Sequence, residues 1–245
     1  MRVKVYSTAQ SAARALAGFI ARAIETKPDL VLGLPTGRTP IPFYDELAVL
    51  AARRDIDFSR LTTFNLDEFV GVAPGDPGSY RAFMQAHLFD RVNLTPRRIH
   101  FLNGRARDAV AECAAYERAI VRAGGIDFQI LGLGANGHIG FNEPADALIA
   151  RTHRTHLTRP TRAANAALFG GEARNVPREA LSMGMVTILH AKRIVMVATG
   201  REKAKCVAGM VTGPLTTRLP ASFLQVHRNV DVLLDVAAAG LLTSG

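Results

Sequence analysis

The sequence predicts an α/β protein, a doubly wound, mainly parallel sheet with helices on both faces. Three observations carry that expectation. Short apolar runs bounded by turn residues recur along the chain, helical patterns separate most of them, and the unusual polar and glycine-rich motifs follow the runs directly, where the strands of such a sheet would end. At 245 residues, 48% hydrophobic and 21% charged, the chain suits one domain spanning 1–245. No repeat, low-complexity tract or long linker divides it.

In chain order, Ser7-Thr8-Ala9-Gln10 has the form of a capping box and opens a helical pattern through Ala13, Leu16, Ile20 and Ile24 to about Glu25. The run Leu30-Val31-Leu32-Gly33-Leu34 is short and bounded by turn residues, so it reads as a buried strand. The same reading fits Leu61-Thr62-Thr63-Phe64, Phe128-Gln129-Ile130-Leu131, Ile194-Val195-Met196-Val197 and Val230-Asp231-Val232-Leu233-Leu234. Helical patterns over Tyr44 to Arg53, Ser79 to Phe89, Asp108 to Arg122 and Glu202 to Val211 supply the other layers. The least regular stretch, 145–177, is expected to form a flap.

Composition narrows the function classes. No apolar run approaches the roughly 20 residues that span a bilayer, and the first six residues lack the apolar stretch of a signal peptide, which predicts a cytoplasmic protein with no membrane partner. Cys113 and Cys206 lie far apart without CxxC spacing and are expected to be buried and reduced. The net charge of +9 admits nucleic acid or a small anion as partner. However, the basic residues are scattered and tryptophan is absent, whereas a single-strand platform needs aromatic faces along a basic groove. No His, Cys and Asp group has metal-ligand spacing, so neither metal nor cofactor is expected.

Four loops at strand ends carry the chemistry. In an open parallel sheet, ligands bind beyond the carboxyl ends of the strands, where helix N-termini point at them. The first loop, Pro35-Thr36-Gly37-Arg38-Thr39-Pro40, offers hydroxyls, a glycine and a following helix to an anion, and Thr36, Gly37, Arg38 and Thr39 are its candidate phosphate ligands. The second places Asp67 and Glu68 side by side in apolar surroundings, where a carboxylate can be a general base near neutrality or, alternatively, a helix cap. The third, Gly132 to Pro144, sets Asn136, His138 and Glu143 among glycines, the layout of an oriented acid–base histidine. In the fourth, Ala198-Thr199-Gly200-Arg201-Glu202-Lys203, a cation sits in a helix's first turn against the helix dipole; a phosphate ligand at Lys203 would remove the conflict.

These loops, in this order, resemble the glucosamine-6-phosphate deaminase family over nearly the whole chain. The resemblance rests on Leu32-Gly33-Leu34-Pro35-Thr36-Gly37, Phe64 to Gly71, Ser79 to Met84, Asn136 to Pro144 and Pro220 to Gln225. It implies a metal-free reaction on a sugar phosphate: ring opening, proton transfer between C2 and C1, and loss of the C2 amine as ammonia. It further implies Asp67 as the base at C2, His138 as the ring-opening group, and Glu143 as its orienting partner. Asn136 stands where some members have Asp and others Asn. Arg38 replaces a frequent Gly, while Ala167 aligns with an Arg that binds phosphate in well-studied members. Aligned without a gap, Asp146, His153 and Thr155 replace the Ser, Arg and Lys with which some members bind an activating N-acetylglucosamine 6-phosphate.

Three alternatives stay open: a 6-phosphogluconolactonase-like hydrolase, an enzyme acting on galactosamine 6-phosphate, and a non-catalytic sugar-phosphate sensor. The continuation Phe141-Asn142-Glu143-Pro144 and the Phe69 after the acid pair favour the deaminase over the lactonase. A homo-oligomer is compatible with all of these readings.

Overall fold

The computed structural model describes residues 1–53 and 56–242. In chain order the strands and helices are β1 (Arg2–Tyr6), α1 (Ala9–Thr26), β2 (Val31–Leu34), α2 (Ile41–Ala52), β3 (Thr62–Asn65), β4 (Asp67–Phe69), α3 (Tyr80–His87), β5 (Ile99–His100), α4 (Ala109–Arg122), β6 (Phe128–Gly132), β7 (His153–His156), α5 (Arg159–Ala164), β8 (Glu179–Ser182), α6 (Met185–Leu189), β9 (Arg193–Ala198), α7 (Ala204–Thr212) and β10 (Val230–Asp235). Seven strands form a parallel sheet in the order β1-β10-β9-β6-β2-β3-β5. From β2 the chain winds outward through β3 to β5, then returns to β6 and winds the other way through β9 to β10. The reversal falls between β2 and β6, whose carboxyl ends precede the first and third loops. That is where an open parallel sheet leaves a crevice for ligands.

Helices cover both faces, and strand alternation feeds each. Leu131, Ile194, Met196, Val232 and Leu234 pack with α4, α6 and α7, whereas Ile130, Val195, Val197 and Leu233 pack with α1, α2 and α3. Charged residues anchor the amino ends of the strands. Asp127 accepts from Lys192 and from Val31 N–H at 2.8 and 2.9 Å, and Asp231 joins Arg2 to Arg193.

Several expectations need correction. Thr8, not Ser7, caps α1, and its capping-box partner is Ser11 rather than Gln10. The shift by one residue leaves the motif's logic intact, since both bonds of the box are present. Lys203 lies in a 3₁₀ turn, Arg201–Lys203, that leads into α7, so the cation flanks the α-helix instead of occupying its first turn. Cys113 is buried, but Cys206 is only half-buried, with its thiol donating to the Ala135 carbonyl at 3.2 Å. A second sheet, β4-β8-β7, is antiparallel and was not foreseen. It reaches into the segment 145–177, which also holds α5 and a 3₁₀ turn, Ala166–Phe169. Phe169 from that turn packs edge-on against Phe69 at 5.2 Å.

Gly33 makes the central strands' close approach possible. A β-carbon there would lie 2.1 Å from Oε1 of Gln129, a fully buried side chain on the neighbouring strand β6. Gly33→Ala is therefore expected to destabilise the protein by about 1–3 kcal/mol, the usual cost of overpacking. Gly132→Ala, whose β-carbon meets nothing within 4 Å, should stay within about 0.5 kcal/mol of the parent. Urea unfolding of both variants checks the difference, and equal midpoints would contradict it.

Candidate active site

β3 delivers the acid pair and β4 separates its members. Leu66, between the two strands, donates its N–H to Leu34 O at 3.1 Å and accepts from Met183 N–H at 2.8 Å, which joins the large sheet to the small one. Glu68 then turns toward the start of α3. Its carboxylate accepts from the N–H groups of Phe69, Tyr80 and Arg81 at 2.9, 3.0 and 3.0 Å and from the Ser79 hydroxyl at 2.8 Å. Ser79 is the N-cap of that helix. The capping role weighed for Asp67 thus falls to its neighbours.

Asp67 is 6% exposed. Burial, and next the charge of Glu68, push its pKa up from 3.8 to about 8, with no hydrogen bond among the described residues pulling the other way. It sits beside the third loop, since a β-carbon on Gly140 would lie 3.6 Å from Asp67 Oδ2. The buried Tyr44, Tyr80 and Tyr116 feel its charge, and for all three burial first and Asp67 second raise the phenol's pKa. Ser182 Oγ, on the residue paired with Asp67 across β8, accepts from Phe141 N–H at 3.1 Å and so holds the third loop against the acid. Nothing in the sequence around Ser182 marks it; only strand pairing does.

In the third loop Asn136, His138 and Glu143 come together. Gly134 lets the His138 ring lie against the backbone, because a β-carbon there would be 2.4 Å from the ring. Asn136 Nδ2 donates to Glu143 Oε2 at 2.7 Å. A carboxylate only accepts, so this bond turns Asn136 Oδ1 toward His138, 2.6 Å from Nδ1 and 3.2 Å from the backbone N–H. The oxygen must accept from both, which places the imidazole proton on Nδ1 and leaves Nε2 with its lone pair. Burial raises the Glu143 pKa, but hydrogen bonding and charge from His138, then bonds from Thr161 and Asn136, outweigh it and bring the pKa down to about 2. Thr161, which donates its hydroxyl to Glu143 Oε1, was missed in the sequence. The signal for it was there: Thr158 and Pro160 announce a helix start just before it.

The first and fourth loops lie at the ends of β2 and β9. Gly37 has a left-handed backbone at φ 103°, Thr36 and Thr39 are half-buried, and Arg38 is exposed. Neither Arg38 nor the half-buried Lys203 forms an ion pair among the described residues. Burial lowers the Lys203 pKa more than Glu202 and Cys206 raise it. The Asp235 carboxylate accepts from Gly200 N–H at 3.1 Å and fixes the turn that presents Lys203.

Residues 5–233 match the family model described as glucosamine-6-phosphate isomerases/6-phosphogluconolactonase. A glucosamine-6-phosphate deaminase of Halothermothrix orenii is 47% identical over 242 residues, 99% of this chain and 100% of that protein. A solved structure of a monomeric glucosamine-6-phosphate deaminase superposes with a TM-score of 0.95 at 41% identity, covering 98% of this chain and 100% of that one. A 6-phosphogluconolactonase from Leishmania guyanensis, at 20% identity and a TM-score of 0.75 over 99% of both chains, shares the fold alone.

The raised Asp67 pKa makes stability depend on pH. Between 3.8 and about 8 the folded protein holds a proton at Asp67 that the unfolded chain has released. Its contribution is fully present below the lower value and is lost as the pH rises through the upper one. Asp67→Asn should thus be more stable than the parent by a margin that grows with pH across that interval, at up to about 1.4 kcal/mol per pH unit. Thermal unfolding of both proteins at several pH values tests this, and a margin constant with pH would contradict it.

Proposed function

The chain belongs to the glucosamine-6-phosphate deaminase family, and from that premise we infer that it converts glucosamine 6-phosphate and water to fructose 6-phosphate and ammonia. The observation that carries the reading is the presence of two separate acid–base systems: a buried carboxylate at Asp67 and an imidazole at His138 with Nδ1 occupied, neither the carboxylate nor Nε2 having a hydrogen-bond partner among the described residues.

His138 Nε2 takes the proton of the C1 hydroxyl and returns one to the ring oxygen, which opens the pyranose to an aldehyde. Asn136 holds the imidazole, and Glu143 supports its charged form. The C2 ammonium of the substrate is a cation brought into the neighbourhood of Asp67, and it draws that carboxyl into its ionised form. Asp67 then removes the proton from C2; the freed pair forms the C1–C2 double bond as the C1=O π pair moves to O1, and a net proton passes from the ammonium to O1, giving a neutral enolamine whose nitrogen lone pair drives return of the Asp67 proton to C1. The C2 imine so formed adds water and releases ammonia. The phosphate is held by Thr36, Gly37, Arg38 and Thr39 at the end of β2 and by Lys203 at the end of β9. Arg38 takes the place of the flap cation absent at Ala167, and residues 145–177 act as the flap of a single domain.

Ammonia release from the 6-phosphates of glucosamine and galactosamine, with and without EDTA, together with hydrolysis of 6-phosphogluconolactone, tests this reading. Release from glucosamine 6-phosphate that persists in chelator is expected. Lactone hydrolysis without ammonia would overturn it. Asp67→Asn should lose at least the roughly 10² to 10⁴ in kcat typical of a general base, and near-parental turnover would assign that carboxyl a structural role.

Arg38→Ala and Lys203→Ala should each raise KM, because charge-assisted bonds to phosphate act in ground and transition state alike. An unchanged KM in Arg38→Ala would remove it from the phosphate site.

Substrate saturation should be hyperbolic and insensitive to N-acetylglucosamine 6-phosphate. Asp146 pairs with Arg218, and the two nearby arginines are engaged, Arg151 with Glu117 and Arg154 with Glu179. An effector that finds no site cannot shift an equilibrium between states. Sigmoidal kinetics relieved by that sugar would contradict this.

A further inference from the structure

Asn136 makes the His138 relay sensitive to a detail that a carboxylate would not. An amide's two ends differ: Oδ1 toward the imidazole demands a proton on Nδ1, whereas Nδ2 toward it would demand the lone pair there and put the proton on Nε2. The second arrangement places a proton where the ring-opening base must have none. Two contacts turn Asn136 this way, the His138 backbone N–H on Oδ1 at 3.2 Å and the shorter one from Nδ2 to Glu143 Oε2 at 2.7 Å, and a carboxylate is free to rotate unless its other oxygen is held.

The other oxygen is held by α5. Thr161, 4% exposed, donates its hydroxyl to Glu143 Oε1, and the N-cap Thr158 hydroxyl reaches the same oxygen at a longer 3.5 Å. The threonine is itself fixed: its N–H donates to the N-cap Thr158 Oγ1 at 3.3 Å, and its carbonyl accepts from Asn165 Nδ2 at 2.9 Å. Because a carbonyl only accepts, Asn165 Oδ1 faces away and accepts from the Tyr80 hydroxyl at 2.9 Å. Tyr80 stacks on Phe141 at 5.8 Å and 11°, and its N–H donates to Glu68 Oε1 at 3.0 Å. An unbroken chain of hydrogen bonds thus runs from His138 through Asn136, Glu143, Thr161, Asn165 and Tyr80 to Glu68, the neighbour of Asp67. Helix α5 is its middle span.

We propose that Thr161 is a positioning residue that fixes the His138 tautomer through Glu143 and Asn136, and that α5 is the strut tying this relay to the acid pair. The proposal rests on the reading of His138 as the ring-opening group, but its first test does not. Histidine labelled with ¹⁵N reports the tautomer directly in the unliganded protein, at a pH above the imidazole range. The parent should show the proton on Nδ1 of His138. Thr161→Val, which keeps the shape and loses the donor, should shift it toward Nε2, and Thr161→Ser should restore it. Thr161→Ala serves as a second donor-less variant if the valine does not fold.

In ammonia release, Thr161→Val should lose about tenfold or more in kcat, the scale of a hydrogen bond to a charged group. Affinity for the open-chain 2-amino-2-deoxyglucitol 6-phosphate should stay within about threefold, since uniform binding is not what the tether supplies. A parental tautomer in both donor-less variants would overturn the proposal. A shifted tautomer in a protein that releases no ammonia would instead uphold the positioning role and overturn the functional reading.

Discussion

Two neighbouring carboxylates inside a protein can coexist only if something separates them, and in β4 that is the alternation of a strand. Successive side chains point to opposite faces, so Glu68 and Asp67 enter different surroundings one residue apart. On one face four donors meet Glu68, three of them backbone N–H groups at the start of α3 and beside it. On the other, Asp67 faces Gly140 and finds no donor among the described residues. The start of α3 and the seat of Tyr80 are tied to that division, since Ser79, Tyr80 and Arg81 supply three of those donors. The uncompensated acid is costly to bury, and the cost is concentrated at the one carboxyl to which we assign proton transfer.

The relay around His138 divides orientation from charge in a similar way. Asn136 carries no charge, so it can turn the imidazole without stabilising an imidazolium. The charge comes from the next group along, since Glu143 Oε2 lies 3.6 Å from His138 Nδ1. At that distance the attraction is felt although the shorter bond is to the amide. An aspartate at position 136 would combine both tasks and would need no external tether for its orientation, because its two oxygens are equivalent.

What was legible in the sequence was whatever local pattern decides. The strands β2, β3, β6, β9 and β10 are apolar runs because both faces of a parallel sheet are covered, and their ends marked the loops. Asp67, Asn136, His138 and Glu143 stood out as polar residues in apolar stretches, and the last three do meet. β1 was missed because as an edge strand its burial is partial, and Val5 is 51% exposed. The small sheet was missed because β7, His153–His156, is polar throughout, with no period to read. Ser182, Thr161 and Asp235 escaped for a different reason. Each acts on a group 18 to 41 residues away, and a single sequence does not show which hydroxyl or carboxyl will arrive there.

The pairing of β1 with β10 has a consequence for how the chain is made. Arg2 lies opposite Asp231, so among the described strands β1, first in chain order, has its one sheet neighbour in β10, the last. Until β10 is made the inner strands can assemble from β2 to β9 while β1 and its side of α1 wait without a partner. Long-range pairings of this kind close slowly, because the loop entropy is lost before the contact is gained. The molecule should therefore pass through a nearly complete form during synthesis, with the edge of β9 open and able to accept a strand from another nascent chain. The chain is most open to such pairing after β9 has formed and before β10 has taken its place between β9 and β1.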